Sequence, residues 1–182
     1  LATLAGQGID ASDISQFRFF TNQFDTNTKG WDVVVSAVTE WSEGATTWNM
    51  AYNKTKTEVT DRNPVLLGNS RVQLIEDGTP ETRWVASASH EIDQLRFLVR
   101  GAYYGEWYDN EAGGDFGSEY IVDLEVGYRF NDNISLAIGG RNVFDEQGCS
   151  TNKCGGTPAN ILGLPHSQFT PFGFNGAFYY GK

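Results

Sequence analysis

Between Leu95 and Arg141 the chain alternates with period two, and that pattern commits it to β-sheet. Leu95, Phe97, Val99, Gly101, Tyr103, Gly105 and Trp107 carry no charge. The residues between them, Arg96, Leu98, Arg100, Ala102, Tyr104 and Glu106, include three charges. The next run places Tyr120, Val122, Leu124, Val126, Tyr128 and Phe130 on one face and Glu119, Ile121, Asp123, Glu125, Gly127 and Arg129 on the other. A turn of Asn131-Asp132-Asn133 follows. Ile134, Leu136, Ile138 and Gly140 then alternate with Ser135, Ala137, Gly139 and Arg141.

The turn predicts a register. Phe130 opposite Ile134 brings Tyr128 to Leu136 and Val126 to Ile138, so the apolar residues share one face. On the other face Asp123 falls opposite Arg141, an expected cross-strand ion pair. A slip by one residue would put charges among the apolar side chains.

Weaker runs extend the sheet. Trp31, Val33, Val35 and Ala37 form one alternating face, Trp48, Met50 and Tyr52 another, and Trp84, Ala86 and Ala88 a third. Phe17 to Phe24 reads as a first strand. Phe172, Phe174, Gly176, Phe178 and Tyr180 read as one face of a last one. About eight strands result, with no helix and no second domain. Connections at Ser42–Gly44, Glu91–Gln94 and Asn131–Asn133 are tight, whereas Lys56–Thr82, Tyr108–Ser118 and Glu146–Thr170 are long. Alternation of short turns and long loops is how outer-membrane barrels are built. Asp25–Lys29, a short connection on the long-loop side, fits that scheme less well.

The two-faced strands have two readings. In a soluble sandwich or a lipocalin-type barrel the apolar faces meet in a core. In a membrane barrel they meet lipid, and the charged faces line a wet lumen. The charges on the second face favour the membrane reading. The mean hydropathy of -0.39 does not oppose it, because alternation averages the two faces. Eleven residues tilted by about 45° span roughly 25 Å, the height of a barrel's apolar band. Trp31, Trp41, Trp84, Tyr103, Trp107, Tyr120, Tyr128, Phe130 and Phe144 sit near strand ends, where aromatic side chains bridge lipid and water.

Other chemistries find little support. A net charge of -10 argues against nucleic acid as a partner. Glu119, Asp123 and Glu125 are paired carboxylates on one strand face, yet no nucleophile and base accompany them, so an enzyme is not expected. His90 falls at a turn and His166 in a loop. Cys149 and Cys154 have the spacing of a small disulfide loop, which implies an oxidising compartment. No Cys/His set reaches the ligand count of a metal site, and no cofactor is expected. Leu1-Ala-Thr-Leu-Ala-Gly lacks the form of a signal peptide, so the leader was removed or the chain begins inside a longer protein.

Three segments carry a family resemblance. Arg141-Asn142-Val143-Phe144-Asp145-Glu146 resembles the Asn-(Leu/Val)-Phe-Asp-Glu element near the C-terminus of TonB-dependent receptors. Thr26-Asn27-Thr28-Lys29-Gly30-Trp31-Asp32-Val33 is similar to a strand start that recurs earlier in those barrels, and Pro171 to Tyr180 resembles the closing strand of one subgroup. The resemblance covers the chain from about Ser15 onward. It implies an all-β, antiparallel transmembrane barrel, of which residues 1–182 supply about eight C-terminal strands out of 22. The plug domain and TonB box of such receptors are not found in this chain. The resemblance also implies a place in the outer membrane of a Gram-negative bacterium, among its lipid and lipopolysaccharide. It implies coupling to the TonB complex through the missing N-terminal region, and uptake of a scarce small-molecule nutrient, a ferric siderophore being the default. Arg100, Tyr104, Tyr108 and the loop around Cys149 to Cys154 are the candidate ligand contacts. Family members usually end on an aromatic residue; this chain stops at Gly181-Lys182, so a cut last strand is expected. A complete eight-stranded barrel with an adhesive or structural role is the alternative, in which the strand near Phe17 pairs with that near Phe178.

Overall fold

A computed structural model describes residues 22–111, 114–148, 169–173 and 175–182. Strands β1 (Phe24–Trp41), β2 (Gly44–Arg62), β3 (Thr82–Ile92), β4 (Leu95–Tyr104), β7 (Glu119–Asn131), β8 (Ile134–Arg141) and β9 (Phe178–Gly181) form one antiparallel sheet in that order. A small hairpin, β5 (Trp107–Asp109) and β6 (Gly114–Phe116), rises from the β4–β7 connection, and one helix, α1 (Asn69–Asp77), lies in the β2–β3 connection. The described sheet is open, with β1 and β9 at its edges.

Register explains why the pattern holds. Tyr128 lies opposite Leu136 and Val126 opposite Ile138, as the alternation requires. Phe130 does not face Ile134. Asn131 takes that place, and the ladder shifts between Arg129 and Asn131. The cause is local: the Asn131 side-chain oxygen accepts the N–H groups of Asn133 and Ile134, both at 2.9 Å, and the tight turn that results leaves Phe130 bulged. At the β3–β4 turn Asp93 adopts a positive φ of 49°, which an aspartate tolerates. At the β1–β2 turn, a Cβ on Gly44 would lie 2.1 Å from the Glu91 carbonyl oxygen, so only glycine lets β2 approach β3 there.

Several expectations change. Asp25–Lys29 is not a connection but part of β1, which pairs with β2 as far as Phe24 opposite Arg62. The strand expected from Phe17 lies outside the described residues except for its last three positions. Helix α1 occupies what reads as plain loop. It docks on β2 through Glu76, whose Oε1 accepts the Val59 N–H at 2.7 Å, and on β6 through a 3.1 Å bond from Gln73 to Asp115. The last strand is short, because Phe172 turns away to join Trp107 and Phe116 in a small buried cluster. Trp107 stacks on Phe116 at 5.2 Å, and Phe172 meets Trp107 edge-on at 6.0 Å. Phe174 lies outside the described residues.

That cluster is the only packed apolar nucleus among the described residues. The apolar faces of the strands are not buried against one another. Phe97, Val99, Leu124, Val126, Leu136 and Ile138 are all exposed, Val99 at 50% and Ile138 at 62%. An exposed apolar face of this size marks a surface that meets either lipid or other protein.

Candidate functional site

The apolar face is banded. Pairing aligns Tyr52, Trp84, Tyr103 and Tyr120 in one row across β2, β3, β4 and β7. Neighbouring rings touch: Trp84 stacks on Tyr103 at 5.9 Å, Tyr103 meets Tyr120 at 4.9 Å, and Trp31 meets Tyr52 at 5.5 Å. Toward the short-turn rim stand Trp41, Trp48 and Tyr128. The Trp41 indole N–H donates to Thr46 Oγ1 at 2.9 Å, and that hydroxyl lies 2.9 Å from His90 Nδ1. His90 is therefore part of β3, on the apolar face, rather than a turn residue. From Trp31 to Trp41 the strand covers about 34 Å, or roughly 24 Å in height at a 45° tilt, which matches a membrane's apolar band.

The opposite face is a ladder of charge. Glu125 is buried (5% exposed) and takes three donors: the Arg96 guanidinium, Lys182 Nζ at 2.9 Å and the Tyr180 hydroxyl at 2.6 Å. Arg96 stands opposite Gly127, which leaves room for its side chain to run diagonally to Glu125. Gly139, opposite both Glu125 and Tyr180, is bare, so the Tyr180 ring lies across it to reach the carboxylate. Tyr180 and Phe178 thus share a face, as the alternation implies, but it is the charged face rather than the apolar one. Their rings stack at 6.1 Å.

The Asp123–Arg141 pair does not form. Asp123 bonds instead to Arg100, its direct neighbour across β4, at 2.7 Å, and accepts the Asn142 backbone N–H at 2.9 Å. The β7–β8 ladder ends at Leu124 opposite Gly140, one residue short of the expected contact. Arg141 is exposed and has no ion-pair partner among the described residues. It borders a cavity of about 640 Å³ with Arg100, Tyr104, Asp123, Phe172 and Phe178. Tyr104 is held by Arg83, whose guanidinium carbon lies 4.9 Å from its ring centre, and Phe172 packs at 5.4 Å. Arg141 and the Tyr104 and Phe172 rings border the same cavity, while Arg100 there is already paired with Asp123.

Of the sequence-stated candidates, Arg100 and Tyr104 come together in this cavity. Tyr108 stands apart on β5, its hydroxyl 3.5 Å from Asn110 Oδ1. Cys149, Cys154 and His166 lie outside the described residues. Sequence reasoning overlooked Phe172 and Phe178 as wall residues and Asn142 as the clasp at the end of β8. Asn142, at φ 50°, accepts the Glu146 N–H at 2.9 Å and donates to the Glu146 carbonyl at 2.5 Å. Asp145 Oδ1 accepts the Ala177 N–H at 2.8 Å. The Asn142-Val143-Phe144-Asp145-Glu146 element therefore fastens the end of β8 to the approach of β9. The carboxylates Asp123 and Glu125 are occupied by cations, an arrangement suited to a structural wall rather than to acid–base work.

The family comparison agrees with this architecture. The family model "TonB dependent receptor-like, beta-barrel" matches residues 2–143. A solved structure, the ferric-catecholate import receptor Fiu from K12 E. coli in its closed form, is similar over 58% of this chain and 17% of that one, with 19% identity and a TM-score of 0.45. The chain thus spans under a fifth of that receptor's length. No curated protein sequence matches. The match over most of its length places the chain in the TonB-dependent receptor β-barrel family, with its sheet a segment of an antiparallel transmembrane barrel.

Proposed function

We propose that residues 1–182 are the C-terminal portion of the barrel of a Gram-negative outer-membrane receptor that takes up a scarce nutrient, a ferric siderophore in particular, with energy from the TonB complex. One observation carries the reading: a single sheet presents exposed aliphatic and aromatic residues on one side and paired charges on the other. A sheet between lipid and a wet lumen needs that division. The family match supports a transport role rather than an enzymatic one.

In this reading the long-loop rim is extracellular, and the cavity beside Arg100, Tyr104 and Arg141 lies on the lumen wall. Arg141 supplies a positive charge that has no ion-pair partner among the described residues, and Tyr104 and Phe172 supply ring faces for a ferric complex with anionic, planar chelating groups. Tyr108 is a contact from the loop hairpin above. The plug and the TonB-contacting segment would be contributed by sequence before Leu1.

The test is uptake of radiolabelled iron by cells that carry or lack the gene for the whole receptor, with individual ferric siderophores supplied under iron limitation. The reading expects loss of one siderophore class, an equal loss when TonB is removed, and about tenfold weaker apparent affinity in Arg141→Ala. Unchanged uptake of every iron complex would exclude the siderophore assignment. Recovery of the receptor in the soluble fraction would exclude the receptor itself.

A further inference from the structure

One row on the charged face of the sheet breaks its polar character. Val34 lies opposite Ala51, Ala51 opposite Val85, Val85 opposite Ala102, and Ala102 opposite Ile121. Five adjacent strands, β1, β2, β3, β4 and β7, thus present an aliphatic side chain at one height, on the face that carries Arg100, Asp123 and Glu125. Four strand spacings make this stripe about 19 Å long. Val34 at its far end is 76% exposed, and Val85 and Ile121 are half-buried. Ala102, sunk between those two, is buried.

The rows on either side are cross-linked along the sheet. In the row toward the long loops, Asn53 donates to Asp32 at 2.7 Å and Arg83 to the Tyr104 hydroxyl at 3.4 Å. In the row toward the short turns, Ser36 donates to Asn49 at 2.9 Å and Arg100 to Asp123 at 2.7 Å. The aliphatic stripe between them offers no such bonds and gains only by leaving water. Strand propensity does not select it either, because alanine is a poor strand former and stands at two of the five positions.

The stripe runs into the cavity described above: Ala102 and Ile121 line it together with Arg141, Tyr104 and Phe172. We propose that the stripe holds the aliphatic chain of an amphiphilic ferric complex whose anionic head lies in the cavity against Arg141. The proposal rests on the siderophore reading and narrows it to complexes that carry an acyl tail. Continuity selects this occupant. A charged site and an aliphatic track meet at Ala102 and Ile121 on one wall, which suits a molecule with one anionic and one apolar end. Length agrees, since about 19 Å exceeds one leaflet's share of hydrocarbon, roughly 15 Å, so an ordinary acyl chain fits within the stripe. A complex without a tail leaves the stripe in water.

The experiment uses the full-length receptor in lipid nanodiscs and a ferric tris-catecholate that carries an N-acetyl, N-octanoyl or N-dodecanoyl group. Binding is followed by quenching of tryptophan fluorescence. The variant carries Val34→Thr and Val85→Thr, which keep side-chain shape but add hydroxyls along the stripe. Neither position is among the lining residues of the cavity. The ratio of variant to wild-type affinity cancels partition of each complex into the bilayer. That ratio is expected to stay near unity for the acetyl complex and to fall about tenfold for the dodecanoyl complex, with the octanoyl complex between them. A ratio near unity for every complex would overturn the proposal, as would an equal fall for every complex. A nitroxide at Val34→Cys, with Cys149 and Cys154 replaced by serine, reads the other occupant, the rest of the receptor. The label should be mobile in the free receptor and slowed by the dodecanoyl complex; immobility before any complex is added would show the stripe already covered and overturn the proposal. Failure of wild type to bind even the acetyl complex would instead overturn the reading of the cavity as a ferric-catecholate site, and the proposal with it.

Discussion

The hydroxyl of Tyr180 donates to Glu125 Oε2 at 2.6 Å, joining β9 to β7 across the intervening strand β8. The bond crosses Gly139, and the same carboxylate receives Arg96 from β4 and Lys182 from the chain's last position. One side chain thereby gathers three strands and fixes the short β9, which has only four residues of ladder.

Removing that carboxylate should loosen β9 first. Glu125→Ala leaves Arg96 and Lys182 without their counter-charge. Both are partly exposed, so water offsets much of the loss, and about 1–3 kcal/mol is expected. Tyr180→Phe deletes one charge-assisted bond while leaving Arg96 and Lys182 on the carboxylate, so it should cost less than Glu125→Ala. The temperature at which the full receptor loses its heat-modifiable electrophoretic mobility reads both. The expected order is Glu125→Ala below Tyr180→Phe below wild type; equal temperatures for all three would contradict the clasp.

Gly139 should resist replacement more than its neighbour. A Cβ there would lie 2.8 Å from the Leu124 carbonyl oxygen and 2.8 Å from the Tyr180 ring, so backbone must move. At Gly140 the close atoms belong to the Tyr179 and Val143 side chains, which can swing aside. Gly139→Ala is expected to cost about 1–3 kcal/mol and Gly140→Ala less, measured by urea unfolding of the receptor in detergent or bilayers. The reverse order would show that the ring does not lie over Gly139.

Helix α1 should respond to acid. Partial burial raises the Asp77 carboxyl above its ordinary 3.8, and Glu76, Glu81 and Asp115 raise it further. A carboxyl with a raised value in the folded state favours folding when protonated. That contribution is full below the unfolded value of 3.8 and is lost as pH rises through the folded value. Amide exchange in α1, corrected for intrinsic rates, should therefore speed up as pH climbs above 3.8. Asp77→Asn should slow it at neutral pH and flatten the pH dependence. A variant indistinguishable from wild type would contradict the sign.

What the sequence disclosed and what it hid divide along physical lines. Val126 opposite Ile138 was legible because alternation and a short turn leave one register that keeps apolar residues together. Asp123 opposite Arg141 was not, because its partner was set by β4, whose pairing with β7 spans the β5–β6 hairpin and has no local turn to fix it. That Phe178 and Tyr180 share a face was legible from alternation, but which face was not, because an aromatic ring suits lipid and lumen alike; the bare Gly139 and buried Glu125 decide the matter only once β9 is placed. Helix α1, Asn69-Ser70-Arg71-Val72-Gln73-Leu74-Ile75-Glu76-Asp77, has no side-chain cap and no buried residue, so its pattern stays faint among loop residues. Parity set Arg100 and Tyr104 on the face opposite Phe97 and Val99, and the family resemblance made them candidate ligand contacts. Phe172 was missed because strand parity stops applying where the chain leaves the sheet.

The central claim is which side of the sheet touches lipid, and spin-label accessibility along β4 tests it most directly. Single cysteines at residues 96 to 102, with Cys149 and Cys154 replaced by serine, are labelled in the full receptor in bilayers and relaxed by oxygen, which concentrates in lipid, or by a water-soluble nickel chelate. The account predicts oxygen maxima at Phe97→Cys, Val99→Cys and Gly101→Cys and nickel maxima at Arg96→Cys, Leu98→Cys and Arg100→Cys. Maxima in the opposite phase, or two profiles without a period of two, would contradict it.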